Sequence, residues 1–351
     1  MSLPYYFAQA PFQSDITIDV SRFHVDSITD ETKQVSAAIQ KGQSRDPLWY
    51  EVGARRYNEL YENGELSVLP PPVYLPGAKD EVIRSRDAGR DIPVRVYAPD
   101  NGQPSKGLIQ HMHGGGFTLF SHTHQDSILQ AYANACQVTT ISVGYRLAPE
   151  HPFPAGKEDC IDVAEYLVDH GEERYGAKLL FITGESAGSH MTVMTTFALI
   201  RSRPNFSLRG IICPYGPYST VMSLPSMVGY EKLVVINEAV VDSFQEAYTP
   251  GWTMQQRQRP DLFPLYDDIQ GLAASTPSKK LPPALFICGT DDPLLDDTLL
   301  MSVKWMATGS EGIVKVAPGG PHACNLGDTA MAKELFGYQL EFCKYKMGYT
   351  D

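Results

Sequence analysis

The 351-residue chain is 43% hydrophobic and 20% charged, a globular composition that excludes a disordered chain, a collagen and a heptad rod. At about 150 residues per domain its length gives a soft expectation of two units, with enough apolar material for a sizeable core. Asp and Glu number 41 against 29 Lys and Arg, and a net charge of −12 argues against a phosphate-backbone partner, so no nucleic acid is expected.

Mean hydropathy is −0.22, and no apolar run approaches the roughly 18 residues of a membrane span. Residues 1–12 carry neither a basic n-region nor a continuous apolar h-region. No membrane span and a cytoplasmic location are therefore expected. The cysteines Cys136, Cys160, Cys213, Cys288, Cys324 and Cys343 include no C-x-x-C pair and sit mostly in apolar stretches, so they read as buried free thiols.

In chain order, residues 1–76 have mixed helical character and end in Leu69-Pro70-Pro71-Pro72, a stiff extended connector. Residues 81–86 and 94–98, separated by Gly89, Asp91 and Pro93, predict an antiparallel hairpin. Short β-rich apolar runs follow at 108–112, 138–143, 179–183, 211–213, 284–288 and 313–317. Between several of them lie helical spacings at 125–136, 160–170, 187–200 and 294–307, and a last helix is predicted over 330–346. This alternation implies right-handed crossovers and an α/β fold: eight strands, mostly parallel, covered by helices on both faces.

Residues 215–280, rich in Tyr, Met, Trp and Pro, are too many for a βα crossover and predict an inserted subdomain. Insertions of this kind sit over the carboxyl ends of parallel strands, where open α/β sheets bind ligands. The expected organisation is an N-terminal cap segment at 1–76, core at 77–214, an inserted cap segment at 215–280 and core again at 281–351.

Gly184-Glu185-Ser186-Ala187-Gly188 follows a predicted strand and opens a predicted helix. In that context G-x-S-x-G is a sharp turn that leaves no room for side chains beside the serine and holds its Oγ exposed at the sheet edge. His113-Gly114-Gly115-Gly116 ends another strand. Successive glycines can turn their N–H groups into a cavity, so Gly114, Gly115 and Gly116, with the N–H of Ala187, are the expected oxyanion donors. His113, ahead of those donors, reads as a structural loop anchor. Candidate acids follow the 284–288 run, where spacing leaves Asp291 and Asp292 open, and the candidate base is His322. The order Ser, Asp, His suits a strand-turn-helix nucleophile.

The remaining histidines have simpler readings. His111 with His113, and His122 with His124, lack a carboxylate or thiol set at ligand spacing, so neither a metal nor any cofactor is expected. His151, His170 and His190 read as surface or helix-end residues, and His24 falls in the N-terminal segment. Tyr5, Tyr6, Phe7 and Phe12 are candidates to line a pocket, with packing onto the body as the simpler role.

Together, His113-Gly114-Gly115-Gly116, Tyr145-Arg-Leu-Ala-Pro-Glu150 with His151-Pro-Phe-Pro154, and Gly184–Gly188 resemble the hormone-sensitive-lipase-like branch of the α/β-hydrolases. The resemblance runs from about residue 76 to the C-terminus. It implies the α/β-hydrolase fold, a mainly helical cap built from the two odd segments, and a serine carboxylesterase hydrolysing small or medium acyl esters, aromatic ones included. A small-molecule ester is then the partner, and a homodimer is an arrangement the resemblance allows. An acid immediately before Pro-Leu implies Asp292, leaving Asp296 and Asp297 as the polar start of a helix. The same residues would serve a lactonase, amidase or acyltransferase. A non-catalytic receptor of this fold is disfavoured by the retained His322. Glu185 stands where the branch commonly has Asp and Ser189 where Gly is common, which implies looser or shifted packing beside the nucleophile. Pro321 and Ala323-Cys324 also depart from the pattern around the histidine.

Overall fold

Eight strands form one sheet in the computed structural model, which describes residues 16–219 and 224–349. They are β1 Lys79–Arg84, β2 Asp91–Tyr97, β3 Leu108–Met112, β4 Thr139–Val143, β5 Leu179–Gly184, β6 Gly210–Pro214, β7 Ala284–Asp291 and β8 Gly312–Pro321. The spatial order is β1-β2-β4-β3-β5-β6-β7-β8. β1 and β2 make the expected hairpin, β2 joins β4 antiparallel, and the remaining pairs are parallel. β3, β4 and β6 are buried along their whole length, so they show no alternation of buried and exposed positions, and β3 and β4 enclose Gln110, His111, Thr139, Thr140 and Ser142 among their apolar residues.

The helices are α1 Asp30–Gln43, α2 Trp49–Val52, α3 Ala54–Glu62, α4 Asp126–Cys136, α5 Ala155–Tyr175, α6 Ala187–Ser202, α7 Glu238–Tyr248, α8 Met254–Arg257, α9 Ile269–Ser275, α10 Leu295–Ala307 and α11 Ala330–Met347. Successive strand residues point to opposite faces. Phe181, Ile212, Leu285 and Ile287 pack with Tyr132 of α4 and Phe342 of α11. Their neighbours Ile182, Ile211 and Phe286 pack with α5, α6 and α10 through Val163, Leu167, Phe197 and Trp305. α5 runs five residues beyond the predicted helix at each end, because its polar first and last turns carry no apolar period. It stops at Gly176, whose φ of 72° is the left-handed cap that glycine adopts without strain. All six cysteines are buried free thiols. Among the described residues no helix is long and apolar enough to cross a membrane.

The segment at 215–280 divides in two. α7 stands over the strand ends, whereas Leu262, Phe263, Ile269, Leu272 and Ala273 join the core against α6 and α10. Its first turn is anchored by Asp297, which is more than the polar start of α10. The side chain is fully buried, and its Oδ1 accepts the Tyr218 and Ser219 N–H groups, each at 2.6 Å. Asp296 Oδ2 accepts the N–H of Ser226 at 2.8 Å. Burial pushes the Asp297 carboxyl up to about 7 against the opposing pull of its two N–H donors.

Folded Asp297 thus holds its proton more tightly than an unfolded aspartate, so its contribution to stability is complete below about pH 4 and is lost as pH rises through about 7. Asp297→Asn keeps the accepting carbonyl and removes the buried charge. The variant is expected to melt higher than wild type at pH 8, with the gap closing toward pH 4, in calorimetric scans. Parallel melting profiles across that range would contradict the assignment.

Candidate active site

β5 delivers the chain into the turn at Ser186, and α6 leaves it. Ser186 sits at φ 54°, ψ −119°, a strained left-handed geometry for a residue with a Cβ, and its N–H donates to Pro214 O at 3.1 Å. The flanking glycines answer to one neighbour on β3. A Cβ on Gly184 would fall 2.3 Å from the Met112 carbonyl oxygen, and one on Gly188 would fall 1.9 Å from it. Neither position can carry a side chain while β3 and α6 stay this close.

His322 follows the end of β8, and Asp292 follows β7. His322 Nε2 lies 2.9 Å from Ser186 Oγ, and Nδ1 lies 2.9 Å from Asp292 Oδ2. Asp292 is 2% exposed and His322 4%, so the chain of bonds is dry at its inner end. Asp292 Oδ1 accepts the Leu294 N–H at 2.9 Å, and the Tyr215 ring meets the imidazole edge-on at 4.7 Å. Asp291 turns the other way, into an ion pair with Lys232 and a 3.3 Å hydrogen bond from the Tyr230 hydroxyl.

The glycine loop differs from expectation at its first donor. The Gly114 N–H is committed to Glu185 Oε1 at 2.9 Å, which removes it from the expected set. The N–H groups of Gly115, Gly116 and Ala187 have no protein acceptor among the described residues. His113 anchors the loop as expected: its ring stacks on Tyr145 at 4.4 Å, and Nδ1 lies 2.7 Å from Gly114 O. Burial pushes the imidazole down to about 3, so it is neutral and donates there. The Tyr145 hydroxyl donates to His113 O at 2.7 Å, and Arg146 clamps the fully buried Asp159. These contacts explain the Tyr-Arg pair that opens the 145–154 string.

Glu185 is the residue whose part the sequence concealed. Burial raises its carboxyl, but His111 Nε2 at 3.0 Å, the Gly114 N–H and the Gln125 amide outweigh burial and hold it below the usual range. It is an ionised buttress beneath the glycine loop. Ser189 is likewise engaged, with its Oγ 2.7 Å from the Tyr218 hydroxyl, so both departures are packed tightly rather than loosely. The one prior signal was His111, two residues ahead of the loop on β3.

His190 is not a surface residue. It is fully buried in α6, with Nε2 2.6 Å from Leu262 O, its ring edge-on to Phe117 and Phe263, and burial pushing it down to about 4. His151, His170 and His24 are exposed. His124 pairs with Glu62 at 3.3 Å. Tyr5, Tyr6, Phe7 and Phe12 lie outside the described residues.

Ser186, His322 and the three glycines line a cavity of about 240 Å³. Trp49, Tyr57 and Tyr61 of α2 and α3 wall it on one side, and Val240 and Phe244 of α7 on another. A second cavity of about 380 Å³ shares His322 and is bounded by α1 and by Pro70, Pro71 and Pro72. Chemically, this arrangement can take the proton of a hydroxyl as it attacks a carbonyl and hold the oxyanion that results.

A family model described as alpha/beta hydrolase fold matches residues 109–326. Carboxylesterase NlhH of Mycobacterium tuberculosis is 31% identical over 232 residues, 65% of this chain and 69% of the relative. An arylesterase of Saccharolobus solfataricus is 27% identical over 264 residues, 73% and 82% of the two chains. A hyperthermophilic esterase from the archaeon Pyrobaculum calidifontis superposes with a TM-score of 0.76, covering 89% of this chain and 97% of its own; at 24% identity that likeness speaks to the fold alone.

The crowding at the turn predicts opposite outcomes for two Gly-to-Ala changes. Gly188→Ala is expected to destabilise by at least ~3 kcal/mol in urea unfolding, because β3 and α6 must separate. Gly337→Ala, in α11 with nothing within 4 Å of the new methyl, is expected to stabilise by about 0.5–1 kcal/mol. Equal effects would refute the steric reading.

Proposed function

The chain belongs to the alpha/beta hydrolase fold family, in its hormone-sensitive-lipase-like branch, and we propose that it is a serine carboxylesterase working through an acyl-enzyme on Ser186. The observation that carries this reading is the continuous chain Asp292–His322–Ser186, at 2.9 Å per link, beside three N–H groups without a protein acceptor among the described residues.

His322 Nε2 takes the proton as Ser186 Oγ attacks the ester carbonyl, while Asp292 fixes the tautomer and stabilises the imidazolium. The N–H groups of Gly115, Gly116 and Ala187 receive the developing oxyanion, a contribution of ~3 kcal/mol of barrier per donor. His322 then protonates the departing alcohol, and water repeats the sequence on the acyl-enzyme, returning the carboxylic acid.

α2 and α3 of the N-terminal segment and α7 of the 215–280 segment act as a cap over this site. The walls are apolar and aromatic, and the one carboxylate among the described cavity-lining residues, Glu185, is buried and engaged by His111, Gly114 and Gln125, which favours an uncharged ester. The cavity at Ser186 offers about 240 Å³, room for a small or medium acyl group, and the second cavity of about 380 Å³ adjoins it at His322. The names of the relatives, a carboxylesterase and an arylesterase, agree with that chemistry.

Steady-state hydrolysis of p-nitrophenyl butyrate tests the assignment. Ser186→Ala is expected to lower kcat by about 10⁴ to 10⁶ and Asp292→Asn by about 10⁴. Asp291→Asn, which disturbs the Lys232 pair and the Tyr230 hydrogen bond but no contact of His322, is expected to stay within a few-fold of wild type. Wild-type turnover in Ser186→Ala, or equal losses at 291 and 292, would overturn the reading.

A further inference from the structure

Gly116 lacks a side chain for a reason that lies outside the sheet. A Cβ on it would fall 2.3 to 2.5 Å from Cγ, Cδ1 and Cδ2 of Phe244, so the phenyl ring of α7 rests directly on the Gly116 backbone. The same ring is stacked on Trp49 of α2, with centroids 4.8 Å apart and planes 8° from parallel. Trp49, Phe244 and Gly116 therefore tie both accessory segments to one of the three N–H donors that have no acceptor among the described residues.

The rest of the loop shows why that contact matters. Its own turn is closed by the Thr118 and Leu119 N–H groups on Gly115 O, at 3.0 and 2.8 Å, which orients the peptide planes. From the core side Glu185 holds Gly114. From the outer side, Asn58 of α3 accepts the Phe120 N–H at 2.9 Å, and Phe244 bears on Gly116. Gly115 and Gly116 sit at φ 108° and 61°, where glycine backbone moves easily. The hydrogen bonds set the direction of the donors. How far the loop can swing from Ser186 is set by what lies on top of it.

We propose that Phe244, supported by Trp49, is a positioning residue for the oxyanion hole, so that the hole is completed only when the two accessory segments are seated over the strand ends. The proposal rests on the acyl-enzyme reading above and deepens it. It separates two jobs one aromatic ring could do. A ring that only walls the cavity affects esters large enough to touch it. A ring that sets the donors affects every ester, including one with a two-carbon acyl group.

The test is hydrolysis of p-nitrophenyl acetate by wild type, Phe244→Ala, Phe244→Leu and Trp49→Ala, with thermal melts run on each. Phe244→Ala is expected to lower kcat about 10- to 100-fold, short of the roughly 10² to 10³ for losing a donor outright, with KM within about threefold. Phe244→Leu should recover most of that loss, and it carries the test if the alanine variant fails to fold. Inhibition by a small alkylboronic acid, whose tetrahedral adduct on Ser186 places an oxygen in the hole, should weaken by the same factor as kcat/KM. Gly116→Ala should be much more damaging in the wild-type background than in Phe244→Ala, because the methyl then has room.

Acetate turnover unchanged in Phe244→Ala and Phe244→Leu, with only the KM for larger esters shifted, would overturn the proposal. So would strictly multiplicative effects of the 116 and 244 substitutions. An inert wild type would instead sink the esterase reading itself, so the two failures are distinguishable.

Discussion

Everything at the site depends on how closely the Met112 carbonyl approaches the turn at Ser186. That oxygen occupies the space of two absent side chains, at Gly184 and at Gly188. The resulting crowding lets the turn hold Ser186 at φ 54° with its Oγ directed outward. A non-glycine residue in this region is strained by something like 1–3 kcal/mol, and it persists because the surrounding packing over-determines it. β3 and β5 lie side by side in the sheet, so the same approach brings the 113–116 loop, which extends β3, next to Ser186, which extends β5. Two of the three elements of the proposed machinery thus share one steric cause.

Electrostatics follow from burial. Asp292 and His322 are nearly inaccessible, which strengthens their interaction and leaves the imidazole with one acceptor on Nδ1 and one hydroxyl on Nε2. Beneath the loop a second carboxylate, Glu185, is kept ionised by three donors while His113 beside it is kept neutral by burial. The charged group orients the loop and the neutral one adds no competing cation. The loop is held from the core by Glu185 and from outside by Asn58 and Phe244, so its position belongs to neither layer alone.

Much of the fold was legible because parallel strands buried on both faces leave short β-branched runs, and because crossover helices carry a 3.6-residue period. Legibility failed where burial or distance overrode local pattern. β8 continues through Pro318, Gly319, Gly320 and Pro321, residues that read as breakers. It does so because the backbone of Gly320 runs so close to β7 that a Cβ on Gly289 would fall 1.8 Å from the Gly320 carbonyl oxygen. That extension carries His322 to Ser186. His190 was misread because α6 is enclosed all round, so a polar residue within it carries no sign of its surroundings. Spacing leaves Asp291 and Asp292 equal; the Pro-Leu that follows Asp292 favours it by resemblance, and the tertiary partners agree, with Asp291 facing Lys232 and Asp292 facing His322. Which of three consecutive N–H groups a carboxylate 71 residues away would take was not readable from the glycines themselves.

The central claim is that the hydroxyl of residue 186, with His322 behind it, becomes covalently substituted. Intact-mass and peptide mass spectrometry after brief exposure to diethyl p-nitrophenyl phosphate tests it most directly. The account predicts one diethylphosphoryl group per chain, located on Ser186, its formation slowed by orders of magnitude in His322→Ala. No adduct on wild type, or an adduct on another side chain, would contradict it.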